Sequence, residues 1–87
     1  MKGLEKLTQL KELHLIVNQL IDVKGLEELT QLKHLSLDYN KLTDVKGLEK
    51  LTQLERLFLK DNPDLTKAQV AELQKALPKC KIHSDFD

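Results

Sequence analysis

Leucine returns along this chain at two intervals, and the switch between them marks a change of local structure. It comes every third position at Leu4, Leu7, Leu10 and Leu13, then after two at Leu15, followed by Asn18, Leu20 and Val23. Alternation about Leu13-His14-Leu15, Leu35-Ser36-Leu37 and Leu57-Phe58-Leu59 predicts short strands, because successive strand side chains face opposite ways. The three-residue spacing of Leu26, Leu29 and Leu32 predicts tight helical or 3₁₀-like turns, in which one face recurs about every three residues. One unit is thus a strand and a turned return.

The unit repeats. A shift of 22 residues superposes 3–24 on 25–46 with 15 of 22 positions identical. A third copy starts at Gly47 and keeps the pattern through Asn62, after which Pro63-Asp64 breaks the frame. A single copy has nothing to bury its leucines against, so like copies must stack side by side, their strands forming a parallel sheet around an aliphatic interior. The expected organisation is one domain over 1–87, with repeats 3–24, 25–46 and 47–65, a C-terminal helix-strand cap 66–84 that closes the solenoid and a mobile tail 85–87.

The stretches L-K-E-L-H-L-I-V-N-Q-L at 10–20, L-K-H-L-S-L-D-Y-N-K-L at 32–42 and L-E-R-L-F-L-K-D-N-P-D-L at 54–65 resemble the leucine-rich-repeat family, in its short 22-residue class. The regular copies are similar to those of bacterial repeat proteins or consensus designs, and the third departs by one inserted residue at Pro63-Asp64. The resemblance implies an α/β right-handed solenoid with a short parallel sheet on its concave face and 3₁₀ or helical turns on its convex face. It also implies partner binding, usually through the concave side.

Asn18, Asn40 and Asn62 recur three residues after the second leucine of each strand. A short amide there can bond the backbone of the bend and of the neighbouring copy, so the three are expected to form a buried ladder. Gly3, Gly25 and Gly47 read as punctuation of the repeat.

From Thr66 the pattern turns helical. Thr66 and Gln69 match a capping box, and Val70, Leu73, Ala76 and Leu77 share a face up to Pro78. Cys80-Lys81-Ile82 then imitates Leu-x-Leu, which predicts a fourth, edge strand with Cys80 and Ile82 inward and with Lys79 and Lys81 discouraging further pairing. A lone Cys without ligand spacing around it reads as a small buried apolar residue, not as a reactive thiol or zinc ligand.

The first copy begins almost at Met1, with no helix to cover it, so Leu4, Leu7, Leu10, Leu13 and Leu15 form a candidate self-association edge. Missing upstream sequence, a two-fold dimer and open-ended association would each cover it; the homodimer is the favoured expectation.

Composition narrows the partner. Lys plus Arg and Asp plus Glu each number 14, so no basic excess invites nucleic acid or an anionic membrane. Tyr39, Phe58 and Phe86 are the aromatics, too scattered to stack a run of bases, and no stretch approaches the ~20 apolar residues of a membrane span. The absence of a leader-like start and the single Cys80 point to a cytoplasmic protein.

Residues flanking the inward leucines give four expected concave columns. They are Glu12, His34, Arg56 and Lys79; His14, Ser36, Phe58 and Lys81; Ile16, Asp38, Lys60 and His83; and Val17, Tyr39, Asp61 and Ser84. Four of the seven differences between the first two copies fall in them, at 12/34, 14/36, 16/38 and 17/39. The candidate binding residues are Ile16, Val17, Tyr39 and Phe58 as apolar anchors, with His14, His34, Arg56, Asp38 and Lys60 around them. No cofactor, metal or catalytic set is expected: His14, His34 and Glu12 could be drawn as a metal or acid–base group, but without a pocket or a firm third ligand. The leading function is therefore a non-enzymatic module binding a protein or peptide. A structural, self-assembling or engineered scaffold is the alternative, and a metal-dependent enzyme the remote one.

Overall fold

The computed structural model of the protein describes residues 9–16 and 19–86. Four short strands, β1 (Glu12–His14), β2 (His34–Ser36), β3 (Arg56–Phe58) and β4 (Lys81–His83), form one sheet in chain order. Every pairing is parallel, with Leu13 beside Leu35, Leu35 beside Leu57 and Leu57 beside Ile82. The 22-residue periodicity is therefore the distance from one strand to the next through the first three strands.

The return segments explain the three-residue leucine interval. Leu26, Leu29 and Leu32 each donate their N–H to the carbonyl three residues back, at 2.9–3.1 Å, and Leu48, Leu51 and Leu54 repeat this at 3.0–3.1 Å. A turn of three residues brings each leucine to the same side, and all six are buried. The second series includes a 3₁₀ helix, Lys46–Lys50. Each return opens on an aspartate, with Asp22 accepting from the Lys24 N–H and Asp44 from the Lys46 N–H.

Asparagine fastens coil to coil. The Asn62 amide donates to the carbonyls of Leu37, Leu59 and Lys60, and its oxygen accepts the Leu42 N–H. Asn40 makes the equivalent set to Leu15, Leu37, Asp38 and Leu20. Both are buried, so the amide replaces water for backbone groups of two successive coils. Asn18, the third expected rung, lies outside the described residues, as do Leu4, Leu7 and Val17.

In place of a third return comes α1 (Lys67–Ala76). Thr66 and Gln69 close the capping box in both directions, and the Gln69 amide also donates to the Thr43 carbonyl, anchoring the helix start to the second coil. Leu73 and Leu77 are buried, Val70 is half-buried and Ala76 is exposed, so the apolar face is narrower than its sequence spacing suggests. Gln74 donates to the carbonyls of Leu77 and Cys80, tying the helix end to β4.

The fourth strand corrects the expected register. Ile82, not Cys80, stands beside Leu57, which puts Lys81 beside Arg56 and His83 beside Phe58. Cys80 donates its N–H to the Leu77 carbonyl, as Leu54 does to Leu51, so it ends the turned series and does not begin the strand. Ser84 then occupies the place corresponding to Leu59; it is buried, and its hydroxyl accepts the Phe86 N–H. A serine where earlier coils carry leucine breaks the apolar alternation that the sequence offered.

Candidate functional site

With Leu13, Leu35, Leu57 and Ile82 on the inner side, alternation turns their strand neighbours to the outer face of the sheet. One column there runs Glu12, His34, Arg56, Lys81, and the next runs His14, Ser36, Phe58, His83. Strand pairing sets these neighbours at the ~4.8 Å spacing of a sheet, close enough for each to shape the next.

The two halves of the face differ. On the β1–β2 side, His14 Nε2 lies 3.0 Å from Glu12 Oε2, and His34 Nε2 lies 3.7 Å from Glu55 Oε1. The hydrogen bond from His14, then its charge, holds the Glu12 carboxyl below its ordinary range, with a smaller contribution from His34. On the β3–β4 side, the Phe58 and His83 rings stack at 4.8 Å between centroids and 9° between planes. Arg56 and Lys81 stand beside them, exposed, and neither makes an ion pair among the described residues. Ser36, in register between His14 and Phe58, is buried despite its outer-face position.

Beyond the strands, side chains link the coils across the face. The Asp38 carboxylate accepts the Lys60 N–H at 2.8 Å, and the Asp85 carboxylate accepts the Asp61 N–H at 3.0 Å. Asp85 bonds to the third coil and the Phe86 N–H to Ser84. Tyr39 and Asp61, one repeat apart, both take left-handed backbone, with φ of 60° and 59°. Such backbone costs a non-glycine residue about 1–2 kcal/mol, and Tyr39, which adopts it, is 57% exposed. Ile16 is also exposed.

The predicted set is therefore brought together only in part. Arg56, Phe58, His34 and His14 share the strand face, Asp38 and Lys60 meet just beyond it at the register of Ile16, and Tyr39 lies one residue further along its coil. Lys81 stands in the column of Arg56 and His83 in that of Phe58, not beside Phe58 and Lys60 as expected. The three-residue interval Leu77–Cys80, matching Leu51–Leu54, is the sequence signal for the true register. No three His, Cys, Asp or Glu side chains come together as a metal site among the described residues. Cys80 is buried, its thiol pushed up to about 11 by desolvation and its S–H 3.8 Å from the Lys81 carbonyl. At neutral pH it remains a thiol, a poor nucleophile. No helix among the described residues is long and apolar enough to cross a membrane.

Parallel strands one repeat apart, inward leucines and shared asparagines define a repeat protein built of stacked coils. A family model for leucine-rich repeats in two copies matches residues 8–50 and 30–75, and the chain belongs to the leucine-rich-repeat family. Among solved structures, a leucine-rich-repeat protein of Leptospira interrogans is 37% identical, covering 68% of this chain and 15% of its own, with a TM-score of 0.60. The structure of Chaetomium Mex67:Mtr2 subunits contains a chain 23% identical, covering 100% of this chain and 61% of its own, with a TM-score of 0.68; this likeness is one of fold. The chain thus spans less than two thirds of either. No curated protein sequence matches it significantly. Leucine-rich-repeat folds are generally protein–protein interaction modules and typically non-enzymatic.

Proposed function

We propose that the chain binds a protein or peptide on the outer sheet face, the concave side of a right-handed solenoid. The observation that carries this reading is the difference between the two sides of each strand. From β1 to β3 the inward positions repeat the same leucines, whereas the outward ones pass through Glu12, His34, Arg56 and, on β4, Lys81, and through His14, Ser36, Phe58 and His83. Tyr39 adds an exposed ring that packing of the coil does not require. Tyrosine and arginine are enriched among the residues that carry most of the binding energy of interfaces.

Capture experiments with the intact chain test the reading. Replacement of Tyr39 and Phe58 by Ala is expected to abolish capture of whatever partner the native chain retains, with the far-ultraviolet spectrum unchanged. Retention of every captured protein by that variant would refute it.

A second reading concerns the first coil. Leu10, Leu13, Leu15 and Leu20 are only partly buried, while Leu32, Leu35, Leu37 and Leu42 are fully so. Each unburied leucine leaves part of ~1.5–3 kcal/mol unrealised, which a second copy joined at this edge would recover. On this reading residues 66–84 cap the opposite end. Sedimentation over a range of concentrations checks it: Leu15→Lys should abolish any self-association without loss of the sheet.

A further inference from the structure

The reading of the sheet face as the partner surface can be made more specific, because its charges are distributed unevenly. Glu12 is engaged with His14, Glu55 with His34, Asp38 with the Lys60 N–H and Asp85 with the Asp61 N–H. Arg56 and Lys81 are register partners on adjacent strands, and among the described residues they have no anion between them. Like charges opposite one another in a sheet repel, and a carboxylate bridging the two would turn that repulsion into attraction. An arginine fork beside an ammonium suits a carboxylate well. Two residues along the same strands, ~6.6 Å away, the mutually stacked rings of Phe58 and His83 form a half-buried aromatic pair.

We propose that the β3–β4 half of the outer face takes an extended protein segment in which a carboxylate side chain and an aromatic ring stand two residues apart. The carboxylate bridges Arg56 and Lys81, and the ring packs against the Phe58–His83 pair. Residues i and i+2 of an extended segment point to one side with the same spacing as Arg56 and Phe58, so both contacts form together. This inference rests on the proposed function and goes beyond it in naming the chemistry of the partner.

The test uses the full chain and synthetic peptides bearing Glu-Ser-Phe, Lys-Ser-Phe or Glu-Ser-Ala in a Gly-Ser background, followed by amide chemical shifts. The Glu-Ser-Phe peptide should move the signals of Arg56, Phe58, Lys81 and His83. The Lys-Ser-Phe and Glu-Ser-Ala peptides should bind about tenfold more weakly or worse. The Arg56→Glu, Lys81→Glu double variant should lose Glu-Ser-Phe and gain Lys-Ser-Phe, a reversal that a merely structural role for these side chains would not produce.

Binding of Glu-Ser-Phe at Ile16 and Tyr39 instead would overturn this assignment and leave the sheet face standing as the partner surface. Shifts confined to α1 and the return segments would sink both, and no shift with any peptide would sink the inference while the capture experiment still decides the broader reading. Stronger competition by a random single-stranded oligonucleotide would assign the site to a phosphate backbone and refute the proposal. So would increased self-association of Lys81→Glu with peptide binding unchanged, since Lys81 would then serve only to guard the strand edge.

Discussion

The first and second coils carry nearly the same leucines, yet they are not equally buried. Leu32, Leu35, Leu37 and Leu42 are fully enclosed, whereas their counterparts Leu10, Leu13, Leu15 and Leu20 are packed against the core only in part. The second coil lies between β1 and β3, and among the described residues the first has a neighbour on one side alone. Enclosure in a stacked repeat is thus a property of the interface between coils, not of the coil's own sequence.

Truncating equivalent leucines should separate the two coils most clearly. Leu35→Ala is expected to lower unfolding free energy by about 2–5 kcal/mol, and Leu13→Ala by less than half as much, as read from urea denaturation. Equal losses would mean that the first coil is as enclosed as the second.

The asparagines extend the contrast. Asn62→Leu strands buried backbone groups of the second and third coils, while Asn40→Leu strands groups reaching into the half-buried first. Both should destabilise by about 1–3 kcal/mol, with Asn62 the costlier. An unchanged midpoint for Asn40→Leu would remove the ladder from the account.

The glycines should differ by less. Gly25 has φ 92°, so Gly25→Ala is expected to cost about 1–2 kcal/mol. At Gly47 a Cβ would meet the Glu27 carboxylate, the far end of a long side chain, at 2.8 Å and a Val23 methyl at 3.3 Å, which a small shift relieves. Thermal midpoints of the two alanine variants check the order.

The smallest effect lies at the exposed start of β1. Because the folded Glu12 carboxyl titrates below its ordinary value of about 4.3, its pairing favours the folded state above that pH and is lost as pH falls through the lowered value. Carboxyl resonances should show this depression in the native chain and its reduction in His14→Ala, with no measurable loss of stability at neutral pH.

Legibility followed local pattern. Leu35 and Leu57 could be placed inward, Asn40 and Asn62 at the bends, and Thr66 and Gln69 at a helix start, because each rests on spacing within a few residues. The place of His83 could not be read the same way. Its strand follows a helix that shortens the final approach by one residue, and Ser84 hides the second inward position. The Phe58–His83 pair and the adjacent Arg56 and Lys81 follow from that register, so the most distinctive part of the candidate site was the least visible.

Sequence alone determined the two leucine intervals, hence strand and turn, and the repetition that obliges coils to stack, since conformational periods are properties of neighbouring residues. Tertiary structure decided which leucines are enclosed, how β4 slides against β3, and which side chains from separate coils become neighbours. Those depend on contacts between segments 22 to 25 residues apart, where no local period constrains the chain.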